Sequence, residues 1–298
     1  MTDRFRAMGS DVVVVIDGPE RLSGQAQTRL DQLEQAWSRF IDDSDISILN
    51  RTGTWQRVSS DTITLFERAV TAWEVTSGAF DPTVLPSLVA SGYSESRSEQ
   101  SGRTVLASPP SCRPAPGMAQ IEIDSAHNRI HLPEVVSFDP GGIGKGLAAD
   151  IVAESLVESG ACAAMVAVGG DVRIAGEAPG NWAVEVESPF NPNETIATLR
   201  LLTGAVCTSS VRAKTWVHDG ETVHHIIDPS TGFSTSSSIV STTVIAADGW
   251  LAEALCKAAI VTEPLDAIAF CQSRGVEAII VDIEGVVWTT DKIAKFAA

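Results

Sequence analysis

Positive charge is in short supply in this sequence. Lys and Arg number 21 against 38 Asp and Glu, giving a net charge of −17. Nucleic acid and anionic membranes are poor partners for such a chain unless its basic residues gather, and here they are scattered. Long apolar runs are also missing. No stretch approaches the roughly 20 residues that cross a bilayer, so no membrane insertion is expected. Residues 1–11 lack the apolar core of a secretory or lipoprotein leader. Cysteines are few: Cys112, Cys162, Cys207, Cys256 and Cys271, five in all, irregularly spaced and with no C-x-x-C. That pattern predicts reduced, buried thiols and suits a cytoplasmic protein. Neither a dinucleotide fingerprint nor a P-loop is present, and Ser209 and Ser210 do not sit in a G-x-S-x-G elbow. No short repeat, low-complexity run or clear linker divides the chain, so residues 1–298 are expected to form a single domain.

What the chain does have is one stretch around which the rest is organised, Ser137-Phe138-Asp139-Pro140-Gly141-Gly142-Ile143-Gly144-Lys145-Gly146, running on to Asp150. Val135, Val136 and Phe138 suggest a short strand at its left end, and a helical pattern opens at its right. A glycine-rich turn feeding a helix start offers free N–H groups and partial positive charge to an anion. Lys145 adds a full charge where a phosphate would sit. Asp139 is available to a metal, a ribose or a proton. The plainer alternative is a tight turn with Lys145 on the surface.

Around this centre the periodicity predicts strands at Val12–Ile16, Ala163–Val168 and Ile239–Ala246. It predicts helices at Arg21–Phe40, at Asp248–Val261 and at Pro264–Arg274, and another from Ser59 or Ser60 to Gly78. Hairpins are expected over Ser125–Asn128 and Glu284-Gly285. The acidic run Asp42-Asp43-Ser44-Asp45 reads as a solvated loop with capping groups. Residues 91–119, rich in Ser, Pro and Gly, read as a loop insertion. The irregular alternation of strands, hairpins and helices predicts a mixed α+β fold with mostly antiparallel sheets and packed helices. His224 and His225 are placed on a strand, with their side chains on opposite faces. Glu253 and Lys257, four apart on a helix, read by default as a surface ion pair.

Met8-Gly9-Ser10, Ser38-Arg39-Phe40, Gly78-Ala79-Phe80-Asp81-Pro82-Thr83, Asp139 through Asp150, Gly169-Gly170-Asp171, Thr208-Ser209, His225-Ile226-Ile227-Asp228-Pro229-Ser230-Thr231-Gly232 and Ala252 through Lys257 follow one another in order. Together they resemble the FAD:protein FMN transferases, the ApbE-like flavin transferases, over about Phe5 to Thr290. The resemblance implies FAD as substrate or ligand, and transfer of its FMN to a Thr or Ser hydroxyl of an acceptor flavoprotein with release of AMP. By position it implies FAD contacts from Met8, Phe40, Ala79, Phe80, Asp81, Asp139, Lys145, His225, Ile226 and Lys257. His225, Asp139 and Lys145 would carry the chemistry. Mg²⁺ would be held by Glu253 and a backbone carbonyl of the turn, at Gly142.

This chain departs from the family pattern in the late helix, where A-D-x-x-x-T becomes Ala252-Glu253 with Lys257. A charged lysine has no acceptor to offer a metal. Lys257 would either replace the metal as a point charge held by Glu253, or turn to solvent and leave Glu253 and Asp139 to hold Mg²⁺. A non-catalytic FAD-binding protein and an FAD pyrophosphatase therefore stand beside the transferase reading.

Overall fold

The computed structural model describes residues 1–96, 102–178, 180–191 and 193–297. The chain opens with β1 (Thr2–Ala7), β2 (Ser10–Asp17), α1 (Gln25–Trp37), α2 (Asp45–Thr52), β3 (Gln56–Arg57), α3 (Ser60–Val75) and α4 (Leu85–Ala90). It continues with β4 (Glu122–Asp124), β5 (Arg129–His131), α5 (Gly144–Glu158), β6 (Ala163–Val168), β7 (Asp171–Gly176), β8 (Trp182–Glu187) and β9 (Thr195–Leu201). It closes with β10 (Gly204–Ser210), β11 (Thr215–His218), β12 (Glu221–His224), β13 (Ile239–Ala246), α6 (Gly249–Ile260), α7 (Pro264–Ser273), β14 (Glu277–Asp282) and β15 (Val287–Thr289). The fold is mixed α+β, and the strands of all four sheets pair antiparallel, as the irregular alternation predicts.

Contacts divide the chain into two compact units. The first comprises Met1–Leu30, Lys145–Ala213 and Ser236–Ala298. Its centre is an eight-stranded sheet in the order β1-β2-β6-β7-β10-β13-β14-β15. Strand β2 alternates, burying Val12, Val14 and Ile16 on one face, as a strand near the sheet's edge should. Inner strand β13 is buried from Ile239 through Ile245, because helix α6 packs on it and on β10. The hairpin β8–β9 contributes Val184, Val186, Leu199 and Leu201 to a second apolar cluster. These meet Val172, Ile174, Val206, Ile245 and Ile279 of the sheet.

Helices α5 and α6 meet backbone to backbone. A Cβ on Gly146 would lie 2.3 Å from the Gly249 carbonyl oxygen, and one on Gly249 would lie 2.6 Å from that of Gly146. Only glycine fits at either position, so Gly146 serves this crossing as much as any ligand. One turn further on, Asp150 caps α6. Its Oδ1 and Oδ2 accept the N–H groups of Gly249 and Trp250 at 2.7 and 2.9 Å.

The second unit comprises Asp31–Gly144 and Lys214–Thr235. Ser59 caps α3 as predicted, accepting the Thr62 N–H at 3.2 Å. The acidic run turns at the exposed Asp42-Asp43 and supplies a capping group, as expected, but the cap opens a helix that the periodicity does not predict. Ser44 accepts the Ser47 N–H at 3.0 Å and opens α2. Asp45 Oδ2 accepts Ser59 N–H at 2.9 Å and Thr62 Oγ1–H at 2.6 Å, tying the two helix starts together. Phe138 stacks on Phe66 of α3 with ring centroids 4.1 Å apart. The buried Asn50 side chain clamps the Phe138 backbone, donating to its carbonyl at 2.9 Å and accepting its N–H at 2.7 Å. The residue before Asp139 is thus fixed on both sides.

The stretch at 91–119 is irregular apart from one bridge, Glu95 to Arg103, and a short turn from Met118, with 97–101 outside the described residues. It is tied down rather than loose. The Ala107 N–H donates to Asn50 O at 2.8 Å, Gly117 N–H to Thr83 Oγ1 at 3.1 Å, and Leu106 packs with Leu85, Leu88 and Ile227. Of the cysteines, Cys207, Cys256 and Cys271 are buried and Cys112 half-buried, whereas Cys162 is exposed; all five are free. No helix among the described residues is long and apolar enough to cross a membrane.

Candidate functional site

In the first unit, four charged side chains from three different elements converge. Lys145 lies in the first turn of α5, Asp171 at the start of β7, and Glu253 and Lys257 one turn apart on α6. The Lys145 ammonium contacts Asp171 Oδ2 and donates to Glu253 Oε1 at 3.1 Å. Glu253 Oε2 accepts the Gly146 N–H at 2.9 Å. That bond depends on the glycine crossing, which lets α6 approach the start of α5. Lys257 pairs with Glu253 Oε1 at 3.6 Å and donates to Ser209 Oγ of β10 at 2.7 Å.

The burial is uneven. The Glu253 and Asp171 side chains are 0% and 1% exposed, those of Lys145 and Lys257 22% and 14%. The carboxylates form the floor and the ammoniums the rim. Burial by itself would raise the Glu253 carboxyl, but Lys145, Lys257 and the Gly146 N–H outweigh it and hold the group below its ordinary value. Burial opposes the Lys145 charge too, and Asp171 and Glu253 overcome it, so that ammonium stays charged at any physiological pH. Burial keeps Asp171 above the ordinary carboxylate value even beside Lys145. The surface-pair reading of Glu253 and Lys257 is therefore corrected, since Glu253 is completely buried. Lys257 has not turned to solvent.

Met8 belongs to the same unit. It forms the β1–β2 turn with Gly9, at φ 52° and 66° respectively. A left-handed non-glycine backbone costs about 1 kcal/mol or more, and residues held so often serve a site.

In the second unit, Asp139 is held by its surroundings. Its Oδ1 pairs with Arg39 Nε at 3.4 Å and accepts the Gly141 N–H at 3.2 Å. Arg39 is 4% exposed and packs against two rings that touch each other, its guanidinium 4.2 Å from the centroid of Phe40 and 4.7 Å from that of Tyr93. It also donates to Tyr93 O at 3.1 Å and to Thr104 Oγ1 at 2.5 Å. Tyr93 is next to Trp216 at 5.4 Å, and Lys214 reaches over the Tyr93 ring at 5.9 Å. The His225 N–H donates to the Lys214 carbonyl at 3.3 Å.

Ala79 is half-buried and Phe80 buried. Asp81 is buried and committed within the protein. Its Oδ1 accepts Thr83 N–H at 2.8 Å and Thr83 Oγ1–H at 2.6 Å, and its Oδ2 accepts Trp73 Nε1–H at 3.1 Å. Burial leads these bonds and raises its carboxyl. Ile226 is buried, and its carbonyl accepts the Thr235 N–H at 3.0 Å.

The two histidines do not alternate on a strand, because β12 ends at His224 and the chain bends there. Instead the His224 ring serves its own turn, Nε2 facing Thr235 O at 3.1 Å and Nδ1 accepting the Ile226 N–H at 3.3 Å. Those partners fix the proton on Nε2. His225 is half-buried.

Residues 8–280 match the sequence profile of the ApbE family. The chain belongs to the ApbE family. It is 29% identical over 255 residues to the FAD:protein FMN transferase of Salmonella typhimurium, covering 80% of this chain and 72% of that one. It is 27% identical over 230 residues to the Vibrio cholerae protein of the same name, covering 72% and 66%. Its matched part thus spans about two thirds to seven tenths of those relatives. The crystal structure of the ApbE protein from Thermotoga maritima superposes with a TM-score of 0.85 at 28% identity, covering 100% of this chain and 99% of that one.

The Mg²⁺ that the ApbE resemblance implies does not fit the residues present around α6. Mg²⁺ takes about six oxygens near 2.1 Å. Here both Glu253 oxygens are taken by N–H donors, with two ammoniums within 3.6 Å of Oε1. Asp171 Oδ1 is the one buried oxygen of the cluster left without a hydrogen bond. Gly142 belongs to the second unit. Among the described residues no three His, Cys, Asp or Glu side chains are grouped to hold a metal. Asp171, Arg39, Tyr93 and Trp216 went unassigned in the sequence; of these only Asp171 and Arg39 had a signal, through the family motifs that contain them.

Proposed function

We propose that this chain is an FAD:protein FMN transferase, with residues 1–298 acting as one flavin-transferase unit. The observation that carries the reading is the family match over residues 8–280, in which the turn from Asp139 to Lys145 and the block from His225 to Gly232 are both retained. In the reaction an acceptor Thr or Ser hydroxyl oxygen attacks the FMN-side phosphorus of FAD. The new P–O bond forms as the bond to the AMP phosphate breaks. The hydroxyl proton goes to a base and AMP leaves with the electron pair. His225 is assigned as that base, and Asp139, steadied by Arg39, as a second polar group near the reacting phosphate. Lys145 and the start of α5 offer positive charge to the diphosphate. By family position Met8, Phe40, Ala79, Phe80, Ile226 and Lys257 contact FAD. Asp81, its oxygens engaged by Thr83 and Trp73, acts by shaping the turn. The rings of Phe40, Tyr93 and Trp216 offer apolar surface to a planar ring.

A second reading, an FAD-binding member without transfer, is favoured by the engagement of Glu253 with two lysines. One experiment separates the readings. The protein is incubated with FAD and a Thr-containing acceptor flavoprotein, and AMP and protein-bound flavin are measured. AMP released only with acceptor, with flavin fixed to it, supports the transferase. AMP released without acceptor indicates a pyrophosphatase, and FAD bound without AMP indicates a binding protein.

A further inference from the structure

We propose that the ammonium groups of Lys145 and Lys257 take the place of a divalent cation, so that this chain binds a diphosphate with no metal. For FAD this rests on the reading above. The inference follows from how the four charges are layered. An ion entering the cluster meets the partly exposed lysines before the carboxylates, which are 0% and 1% exposed. For a cation the approach is repulsive, and no accessible carboxylate oxygen rewards it. For a diphosphate the same rim is attractive and still has donors to give. Each ammonium carries three N–H groups. Among the described residues Lys145 spends two, on Asp171 and Glu253. Lys257 donates to Ser209 and reaches Glu253 only as an ion pair at 3.6 Å.

The rim is also held in place before any ligand arrives. Lys257 leaves a helix that is buried on nearly every side and is braced from β10 by Ser209. Glu253 is positioned by the Gly146 N–H and in turn holds both lysines. A diphosphate normally brings a divalent ion to offset its charge. Here the offset is built from side chains whose own counter-charges lie beneath them.

The test titrates the unmodified protein with FAD in EDTA and in excess Mg²⁺, followed by flavin fluorescence. Inorganic pyrophosphate is titrated in the same two buffers by calorimetry. Equal FAD affinity in both buffers is the expected result. FAD binding only with Mg²⁺ overturns the proposal and leaves the FAD reading standing. Pyrophosphate binding in EDTA without any FAD binding supports the proposal and removes the FAD reading. Binding of neither ligand in EDTA overturns the proposal. As a second arm, Lys257→Met should weaken FAD binding in EDTA about tenfold or more, the loss of a charged hydrogen bond, whereas Lys257→Arg should retain it. Unchanged affinity in a Lys257→Met protein that is folded at the assay temperature, as judged by circular dichroism, also overturns it.

Discussion

Replacing Glu253 by glutamine tests the charge cluster through stability alone, with no ligand. The side chain is fully buried and receives Lys145 at 3.1 Å, the Gly146 N–H at 2.9 Å and Lys257 at 3.6 Å. Glutamine preserves the volume but removes the charge, and its NH₂ group must face one of the donors. Removing one member of a buried pair costs about 3–5 kcal/mol. Because the two lysines are 22% and 14% exposed, water recovers part of that, and we expect a loss of about 2–4 kcal/mol. A solvated helix pair would lose only about 0.3–0.5 kcal/mol. The pH dependence adds a second check. Burial raises this carboxyl, but the two ammoniums and the Gly146 N–H more than cancel it, so the folded value lies below the ordinary 4.5. The stabilisation is therefore complete above the unfolded value and is lost as pH falls through the folded one. The gap between parent and Glu253→Gln should be constant near neutrality and shrink once the pH drops below 4.5. Urea unfolding followed by tryptophan fluorescence measures both. Adding Lys257→Met to Glu253→Gln should restore part of the loss, because it removes a cation left without its counter-charge. A loss below about 0.5 kcal/mol, or one unchanged into acid, would refute the buried-cluster reasoning.

Two further outcomes are expected. Gly146→Ala should cost about 3 kcal/mol or more, read as a lower melting temperature or loss of soluble protein, because its Cβ would lie 2.3 Å from a carbonyl oxygen on a rigid helix. His225→Ala should lower flavin transfer by about 10² or more with the fold intact. His224→Ala should instead lower stability by about 1–3 kcal/mol, through two lost turn hydrogen bonds, and spare the activity of the folded fraction.

How far the structure was legible in the sequence depended on the range of the interactions that decide each part. Strand β6 runs Ala163–Val168 and β13 Ile239–Ala246, as their apolar runs predict. Helix α1 is shorter than its periodicity, starting at Gln25 because Gly24 adopts φ 78°. It stops at Trp37, and the chain turns at Ser38 as Arg39 goes into the interior. Helix α2 escaped notice because its eight residues bury only Ile46, Leu49 and Asn50, too few to mark a period. The same holds in the site. Glu253 and Lys257 share a helix face, and spacing alone reveals that. Asp171 reaches Lys145 across 26 residues, and Arg39 reaches Asp139 across the whole stretch from α2 to β5, which no local pattern encodes. Lys145, read from sequence as a lone cation at a phosphate turn, is in fact bound to two carboxylates.

That last difference bears on how the two departures in α6 should be understood. Glutamate where the ApbE resemblance implies aspartate, and lysine where it implies threonine, act as one change. The Glu253 carboxylate spans three partners, placing Oε2 on the Gly146 N–H at 2.9 Å while Oε1 faces Lys145 and Lys257. An aspartate at that position would draw the carboxylate back by one carbon–carbon bond, about 1.5 Å. From there the Gly146 N–H is out of hydrogen-bond range and Lys145 is left mainly to Asp171. Lys257 needs the longer acid as its near counter-charge, since Ser209 is neutral and Asp171 acts on it only from beyond ion-pair distance. The longer acid needs the second cation in turn, because one lysine shared between two buried carboxylates would leave the cluster with excess negative charge where an anion is to bind. Each substitution alone therefore weakens the site, and only the two together produce a rim that stays positive toward a phosphate.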